Sequence, residues 1–196
     1  MTKLPNAEAG SHVAAVLACC ALLATAAPAR AAEYKAGAGS EVQFTATITM
    51  NSFVATSTAV SGTLSWDAAT GALEKATIDV KADSFATGMD MRDTHMKEKY
   101  LEAEKFPVIR LEVPKQPLAA TPGKTVPLNA EFVIRGKRKP VVLQLKLEKA
   151  DAGTVVATSE FPLDITDYGI PQPKFAVVKM ETVIAAKVKL VFTAAK

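Results

Sequence analysis

The chain has 196 residues, of which 49% are hydrophobic and 22% are charged, and its net charge at pH 7 is +3. With two histidines and two cysteines, it offers few groups for nucleophilic catalysis or for a transition-metal site. A nearly balanced charge without a basic stripe disfavours nucleic acid as a partner. The composition therefore predicts no metal ion, no cofactor and no catalytic residue.

The first 31 residues are predicted to be an export signal that is removed. Lys3 provides a positive start, residues 13–27 form an almost unbroken apolar run, and Ala29-Arg30-Ala31 is a small-residue cleavage site. The apolar run is shorter than the ~20 residues of a comfortable membrane span. Cleavage after Ala31 leaves residues 32–196 as one domain in the periplasm or outside the cell.

Both cysteines lie within this signal, so the processed chain carries no thiol and forms no disulfide. Residues 16–19, Val-Leu-Ala-Cys, offer an alternative in which Cys19 is lipidated after cleavage. The apolar run continues past Cys19 as far as Ala27, which favours the ordinary signal. Removing Lys3, Glu8 and Arg30 leaves 21 basic and 19 acidic residues, a net charge of +2.

Apolar and polar residues alternate with a period of two over most of the remaining chain, which predicts half-buried strands. Short turns at 67–71, 135–137 and 151–153 join neighbours as hairpins do. Eight antiparallel strands fit a closed barrel with room for one small ligand, and they also fit a two-sheet sandwich. In chain order the predicted strands are 42–50, 56–66, 76–82, 108–113, 126–134, 141–147, 154–163 and 177–192.

The alternation also predicts which side chains point inward. On the first strand the inward set ends at Met50, and on later strands it includes Phe132 and Leu145. Residues such as Phe132 and Leu145 are expected to behave as ordinary core residues.

Two segments interrupt the alternation. Residues 90–101 are predicted to form one short helix between the third and fourth strands. Residues 167–175 contain Gly169, Pro171 and Pro173 and are predicted to be an extended loop that cannot pair in a ladder. Both segments are long enough to cover a barrel mouth.

Bulky apolar residues are over-represented outside the regular strand positions, and many of them lie in or beside these two segments. Met and aromatic side chains adapt to irregular apolar partners, so their clustering favours a lipid pocket with a lid. The set is Phe53, Phe85, Met89, Met91, Met96, Tyr100, Leu101, Phe106, Tyr168, Ile170 and Phe175.

The charged residues leave two alternatives open. His95 is the one histidine outside the signal, and a hydrolase would have to use it with Asp90 or Asp93; a solvated or rim-packed His95 is favoured. Arg92 or Asp93 is expected to anchor the helix to the barrel rim. The basic cluster at 135–139 would suit an anionic head group or a membrane surface, and it also suits a solvated hairpin turn.

Three segments of the chain form a recognisable pattern. Residues 84–96 read Ser-Phe-Ala-Thr-Gly-Met-Asp-Met-Arg-Asp-Thr-His-Met, and Phe-Pro-Val-Ile follows at 106–109. Residues 132–141 and 164–170 agree in order and spacing. The pattern resembles the signature of the YceI-like family of periplasmic polyisoprenoid-binding proteins. After His95 the family usually has Leu-Arg-Ser and an aromatic pair, whereas this chain has Met-Lys-Glu-Lys-Tyr-Leu.

This resemblance implies an eight-stranded antiparallel, lipocalin-like barrel around a long pocket for an isoprenoid or another lipid, without enzyme activity. A transient contact with a membrane surface and a homodimer are left open as further interactions. A non-catalytic structural or stress-related secreted barrel, with a core filled by its own side chains, is left open as an alternative function. The expected ligand-binding residues are Phe53, Phe85, Met91, Arg92, His95, Met96, Tyr100, Phe106, Tyr168 and Phe175.

Overall fold

Most of the chain that the structure describes is antiparallel strand. The computed structural model describes residues 31–67, 70–118, 120–151, 153–175 and 177–195, so the predicted signal lies outside it apart from its last residue. In chain order the strands are β1 (Ala32–Ala36), β2 (Glu41–Ile48), β3 (Asn51–Ser57), β4 (Val60–Asp67), β5 (Ala72–Lys81), β6 (Val108–Val113), β7 (Gln116–Pro117), β8 (Thr125–Ile134), β9 (Lys137–Ala150), β10 (Thr154–Asp164), β11 (Lys174–Phe175), β12 (Val178–Lys179) and β13 (Val183–Ala194).

Within the described ranges, helical structure occurs in two of the connections between strands. After β5, a 3-10 turn (Ala82–Ser84) precedes the α-helix α1 (Asp90–His95), which continues as a π-helix (Met96–Tyr100). After β10, a 3-10 turn covers Ile165–Tyr168. The helix predicted at 90–101 is confirmed in place, between the third and fourth strands of the barrel. No helix among the described residues is long and apolar enough to cross a membrane.

Eight strands close into a barrel, as predicted. Strands β1 and β2 follow one another along the edge of β13, so together they form the first barrel strand. Strands β3 and β4 form the second in the same way, because β3 pairs with β2 and β4 pairs with β1. The remaining strands are β5, β6, β8, β9, β10 and β13, and pairing of β1 with β13 completes the circle.

Because the barrel is a meander, its connections alternate between two ends. The β2–β3 turn, the helical insertion, the β8–β9 turn and the segment from 165 to 182 all lie at one end. This end therefore carries both insertions, and we call it the upper end. The β4–β5 and β9–β10 turns and the β6–β8 connection lie at the lower end.

Local backbone chemistry determines two of these features. Arg135 and Gly136 link β8 to β9 with positive φ angles of 49° and 69°, which is the geometry of a type I′ hairpin turn. At Gly62 on β4, the neighbouring strand β5 comes so close that an added β-carbon would overlap the carbonyl oxygen of Thr77. A side chain at position 62 would therefore push the two strands apart.

Several details differ from the sequence-based expectations. The pattern missed β1, and the first predicted strand ran too far, because the chain turns after Ile48 and leaves Met50 95% exposed rather than inward. The loop predicted at 167–175 is not free of pairing, since β11 at its end pairs with β12 as a small hairpin. Its prolines precede that hairpin, where no ladder hydrogen bond is required of them.

Candidate functional site

An apolar cavity of about 470 Å³ occupies the barrel interior. Inward-facing side chains from all eight barrel strands line it, from Trp66 and Leu73 near the lower end to Met89 and Met91 near the upper end. The volume lies within the range of ~300–1,000 Å³ that is typical of small-molecule sites. The cavity is therefore an elongated apolar chamber that follows the barrel axis.

The cavity opens at the upper end. Among the described residues that line it, the exposed ones are Met89, Met91, His95, Lys174 and Val178. The first three belong to the helical insertion and its approach, and the last two belong to the β11–β12 hairpin. The two insertions therefore form opposite parts of the cavity mouth.

Hydrogen bonds hold the helical insertion in place. The carboxylate of Asp93 accepts the backbone N–H of Thr87 at 2.9 and 3.1 Å and the Thr87 hydroxyl at 2.5 Å. Arg92 donates from Nε to the same hydroxyl at 2.7 Å and from a terminal nitrogen to the Thr87 carbonyl at 3.2 Å. Both residues thus clamp the loop before α1.

Arg92 also connects the insertion to the barrel. Its guanidinium lies 4.1 Å from the ring centroid of Phe53 on β3, a cation–π contact. Just before the insertion, the ring of Phe85 packs against Phe44 of β2 with centroids 5.5 Å apart. The expected anchoring of the helix to the rim is confirmed by these contacts, and Arg92 makes the direct one.

Arg135 joins three parts of the upper end. From the β8–β9 turn its guanidinium pairs with the carboxylate of Glu102 and donates to the carbonyl of Gly169. Glu102 follows the helical insertion, and Gly169 follows the 3-10 turn after β10. One mostly buried cation therefore links both insertions to the barrel.

The rest of the basic cluster is largely neutralised. Arg138 lies 2.6 Å from Glu112 and 2.5 Å from Glu131, and both carboxylates hold the pKa of its guanidinium above the ordinary value. Lys139 pairs with Asp167 at 3.6 Å. These ion pairs support the interpretation of the cluster as a solvated turn.

Charge within the cavity has one sign. Among the described lining residues the charged side chains are Arg92 and Lys174, His95 is titratable, and none is acidic. All three lie at the mouth, whereas the interior wall is almost entirely apolar. No group of three or more His, Cys, Asp or Glu residues in the described ranges could hold a metal ion.

Seven of the ten residues expected to bind ligand line the cavity. They come from β3, from the segment before α1 and from the helical insertion, which the barrel topology brings together at the upper end. These residues are Phe53, Phe85, Met91, Arg92, His95, Met96 and Tyr100.

The structure places two of the others elsewhere. Phe106 follows the insertion and packs beside Gly136, outside the cavity wall. Tyr168 is 3% exposed and packs in the core rather than on the cavity wall, to which this segment contributes Ile165 and Ile170 instead. Burial, with a smaller contribution from Asp167, raises the pKa of Tyr168 to about 12. The side chain of Phe175 lies outside the described part of the chain.

Sequence reasoning missed several wall residues. Phe132 and Leu145, expected to be ordinary core, line the cavity, as do Lys174, Val178 and Met180 near the mouth. Alternation correctly predicted that Phe132 and Leu145 point inward, but a period of two does not show whether inward side chains meet. Val178 and Met180 were placed in the predicted strand 177–192, but that strand began too early: the structure ends β12 at Lys179 and begins β13 at Val183. Lys174 lay in the segment predicted to be a loop.

A family model describing the YceI-like domain matches residues 35–195, nearly the whole of the described chain. The chain belongs to the YceI-like family. The match covers the barrel and both insertions, and it agrees with the three segments that carried the resemblance in sequence. No curated protein matches this chain significantly.

Solved structures share the fold of this family member. A polyisoprenoid-binding domain from Saccharophagus degradans is 17% identical, with a TM-score of 0.68 over 85% of this chain and 100% of that one. BcnA of Burkholderia cenocepacia is 16% identical, with a TM-score of 0.64 over 78% of this chain and 95% of that one. The Campylobacter jejuni YCEI protein is 15% identical, with a TM-score of 0.60 over 72% and 84%. These similarities establish the lipocalin-like YceI barrel.

Proposed function

We propose that this YceI-like protein is a non-catalytic carrier that holds a long-chain isoprenoid or a similar lipid, and that it works in the periplasm. The observation that carries the proposal is the apolar cavity of about 470 Å³ that runs along the barrel and opens at one end. The polyisoprenoid-binding domain from Saccharophagus degradans has the same fold, which supports the choice of ligand class.

The energetics favour a long apolar chain as the ligand. Burying one CH₂ group contributes about 0.8 kcal/mol before the cost of ordering the chain is subtracted. The walls offer almost no polar partners below the mouth, so a polar head placed deep inside would lose its hydrogen bonds to water. We therefore place the tail in the barrel and the head at the mouth, beside Arg92, His95 and Lys174.

Two other functions are less well supported. A purely structural barrel would fill its interior with its own side chains, which the cavity argues against. A hydrolase would need His95 to be activated by a carboxylate, yet His95 is exposed and forms no ion pair within the described part of the chain. Asp93, its nearest candidate partner in sequence, is already bonded to Thr87.

Lipid loading tests the proposal directly. We expect native mass spectrometry of protein exported by a bacterial host to show a bound apolar lipid that organic extraction releases. After extraction, prenols of increasing length should bind with increasing affinity until the cavity is full. If the protein, once freed of its lipid, binds neither farnesol nor octaprenol, the proposal is contradicted.

Export has its own test. N-terminal sequencing of periplasmic protein should begin at Ala32 or very close to it, because the small-residue site ends at Ala31. A lipidated N-terminus at Cys19 would instead support the lipoprotein alternative. A chain that still begins at Met1 after fractionation would rule out both.

A further inference from the structure

The β11–β12 hairpin at the cavity mouth exposes apolar side chains to solvent. Val177, between the two strands, is 88% exposed, and Val178 is 37% exposed while also lining the cavity. Lys174 and Lys179 lie opposite each other on the two antiparallel strands, at the base of the hairpin. The hairpin therefore presents an apolar tip with a cation on either side.

A second apolar tip lies beside the first. The backbone N–H of Thr49 donates to the carbonyl of Lys179 at 3.1 Å, and the N–H of Lys179 donates to the Thr49 hydroxyl at 3.1 Å. These bonds join the β2–β3 turn to the β11–β12 hairpin and place Met50, which is 95% exposed, next to it.

The helical insertion adds two more exposed apolar side chains to the same end. Met89 is 55% exposed and Met91 is 64% exposed, and both line the cavity mouth. We call Met50, Met89, Met91, Val177 and Val178 the mouth rim. The rim residues come from three separate connections, so the apolar surface is not the face of a single strand. Contact between water and these exposed apolar side chains is unfavourable in free energy.

The β11–β12 side of the rim carries two cations, whereas Asp90, an exposed acidic residue, lies between Met89 and Met91 on the side of the helical insertion. Lys174 and Lys179 form no ion pair with the described residues, whereas Lys139, at the neighbouring turn, pairs with Asp167. An unpaired lysine near an anionic bilayer strengthens binding by roughly fivefold. Apolar tips between unpaired lysines suit a surface with anionic head groups above hydrocarbon.

We propose that the mouth rim docks on an anionic lipid bilayer, with Met50 and Val177 inserted below the head groups and Lys174 and Lys179 at the phosphate level. The cavity mouth then faces the bilayer, and a lipid tail passes between membrane and barrel without crossing water. The transfer of a lipid tail rests on the proposed carrier function, but the docking itself does not require a lipid in the cavity.

Vesicle flotation tests the docking with the full processed chain. The parent should float with vesicles of phosphatidylglycerol and phosphatidylcholine at low salt, and less well with phosphatidylcholine alone or at high salt. Met50→Asp combined with Val177→Asp should weaken partitioning by roughly tenfold or more, because two apolar contacts are lost and two anions are added. Neither residue lines the cavity, so farnesol binding without vesicles should remain at the parent level.

Val142→Asp is the matched control, since Val142 is 62% exposed on the outer face of β9 and away from the mouth rim. It should float like the parent. A parent that binds no vesicle, or a rim variant that floats like the control, would overturn the proposal. A parent that sediments as a dimer, with a monomeric rim variant and no vesicle binding, would show instead that a second copy covers the rim. Vesicle binding by a protein that binds neither farnesol nor octaprenol would refute the carrier function and leave docking intact.

Discussion

Filling the cavity from inside should block long ligands and spare the fold. Ala186 lies on β13 opposite Phe44 of β2 on one side and Phe161 of β10 on the other, and all three line the cavity. Ala186 therefore contributes only a methyl group to the cavity wall, between two neighbours that each contribute a phenyl ring. Ala186→Phe would place a third ring there, between the mouth and the lower half of the chamber.

The loss of octaprenol affinity depends on how many carbon atoms of the ligand the new ring keeps out of the lower chamber. An isoprene unit kept out of the lower chamber loses about 4 kcal/mol of gross burial energy, at about 0.8 kcal/mol per carbon group. When a shorter part of the ligand is held in the cavity, less conformational entropy is lost on binding, and this offsets part of the lost burial energy. We therefore expect octaprenol to bind about tenfold to hundredfold more weakly to Ala186→Phe, while farnesol binds nearly unchanged.

Ala185→Phe provides the matched control, because Ala185 is the adjacent residue and is exposed on the outer face of β13. Titration calorimetry with octaprenol and farnesol would be run on both variants and the parent. Since the new ring of Ala186→Phe enters the cavity, its melting temperature should stay close to that of the control rather than fall by the amount typical of an overpacked core. Equal octaprenol affinities for the two variants would refute a continuous chamber.

Three further predictions concern stability. Asp93→Ala removes the hydrogen bonds to the loop before α1 and should cost about 1–3 kcal/mol of unfolding free energy. The exposed Lys99→Ala should cost less than about 0.5 kcal/mol, and equal melting temperatures would contradict the role of Asp93 in clamping the loop before α1. Gly62→Ala forces a β-carbon onto the backbone of β5 and should lower the urea midpoint, whereas Gly37→Ala, with open space around it, should not. Because burial raises the pKa of Tyr168 to about 12, the folded state keeps a proton that the unfolded chain releases near pH ~10. The free energy of unfolding should therefore fall as the pH rises above ~10, and this fall should be smaller in Tyr168→Phe; identical pH profiles would contradict it.

Much of the fold could be predicted because its signals are local. A period of two with short turns between runs located the eight barrel strands, and its failure at 90–101 located the helical insertion. The errors came where the chain changes direction within a few residues: Met50 continues the alternation but lies beyond the end of β2. Likewise, the prolines before β11 masked the short hairpin that follows them.

The candidate site was predictable in part for the same reason. Met91, Arg92, His95 and Met96 lie in one segment, so their shared position at the mouth follows from the insertion alone. Tyr168 was predicted from residue type and loop position, whereas the structure directs it into the core at the end of the 3-10 turn and leaves Ile165 and Ile170 facing the cavity. Residue type cannot distinguish those directions.

By itself the sequence determined that apolar side chains point inward along eight strands, because the alternation of a strand depends on its own backbone. Whether those side chains meet or leave a chamber was decided by the tertiary structure, since the width of the interior depends on strand number and stagger around the whole barrel. Ala186 shows the difference: its inward direction is local, but its place on the wall of a cavity, between Phe44 and Phe161, depends on strands that are distant in sequence.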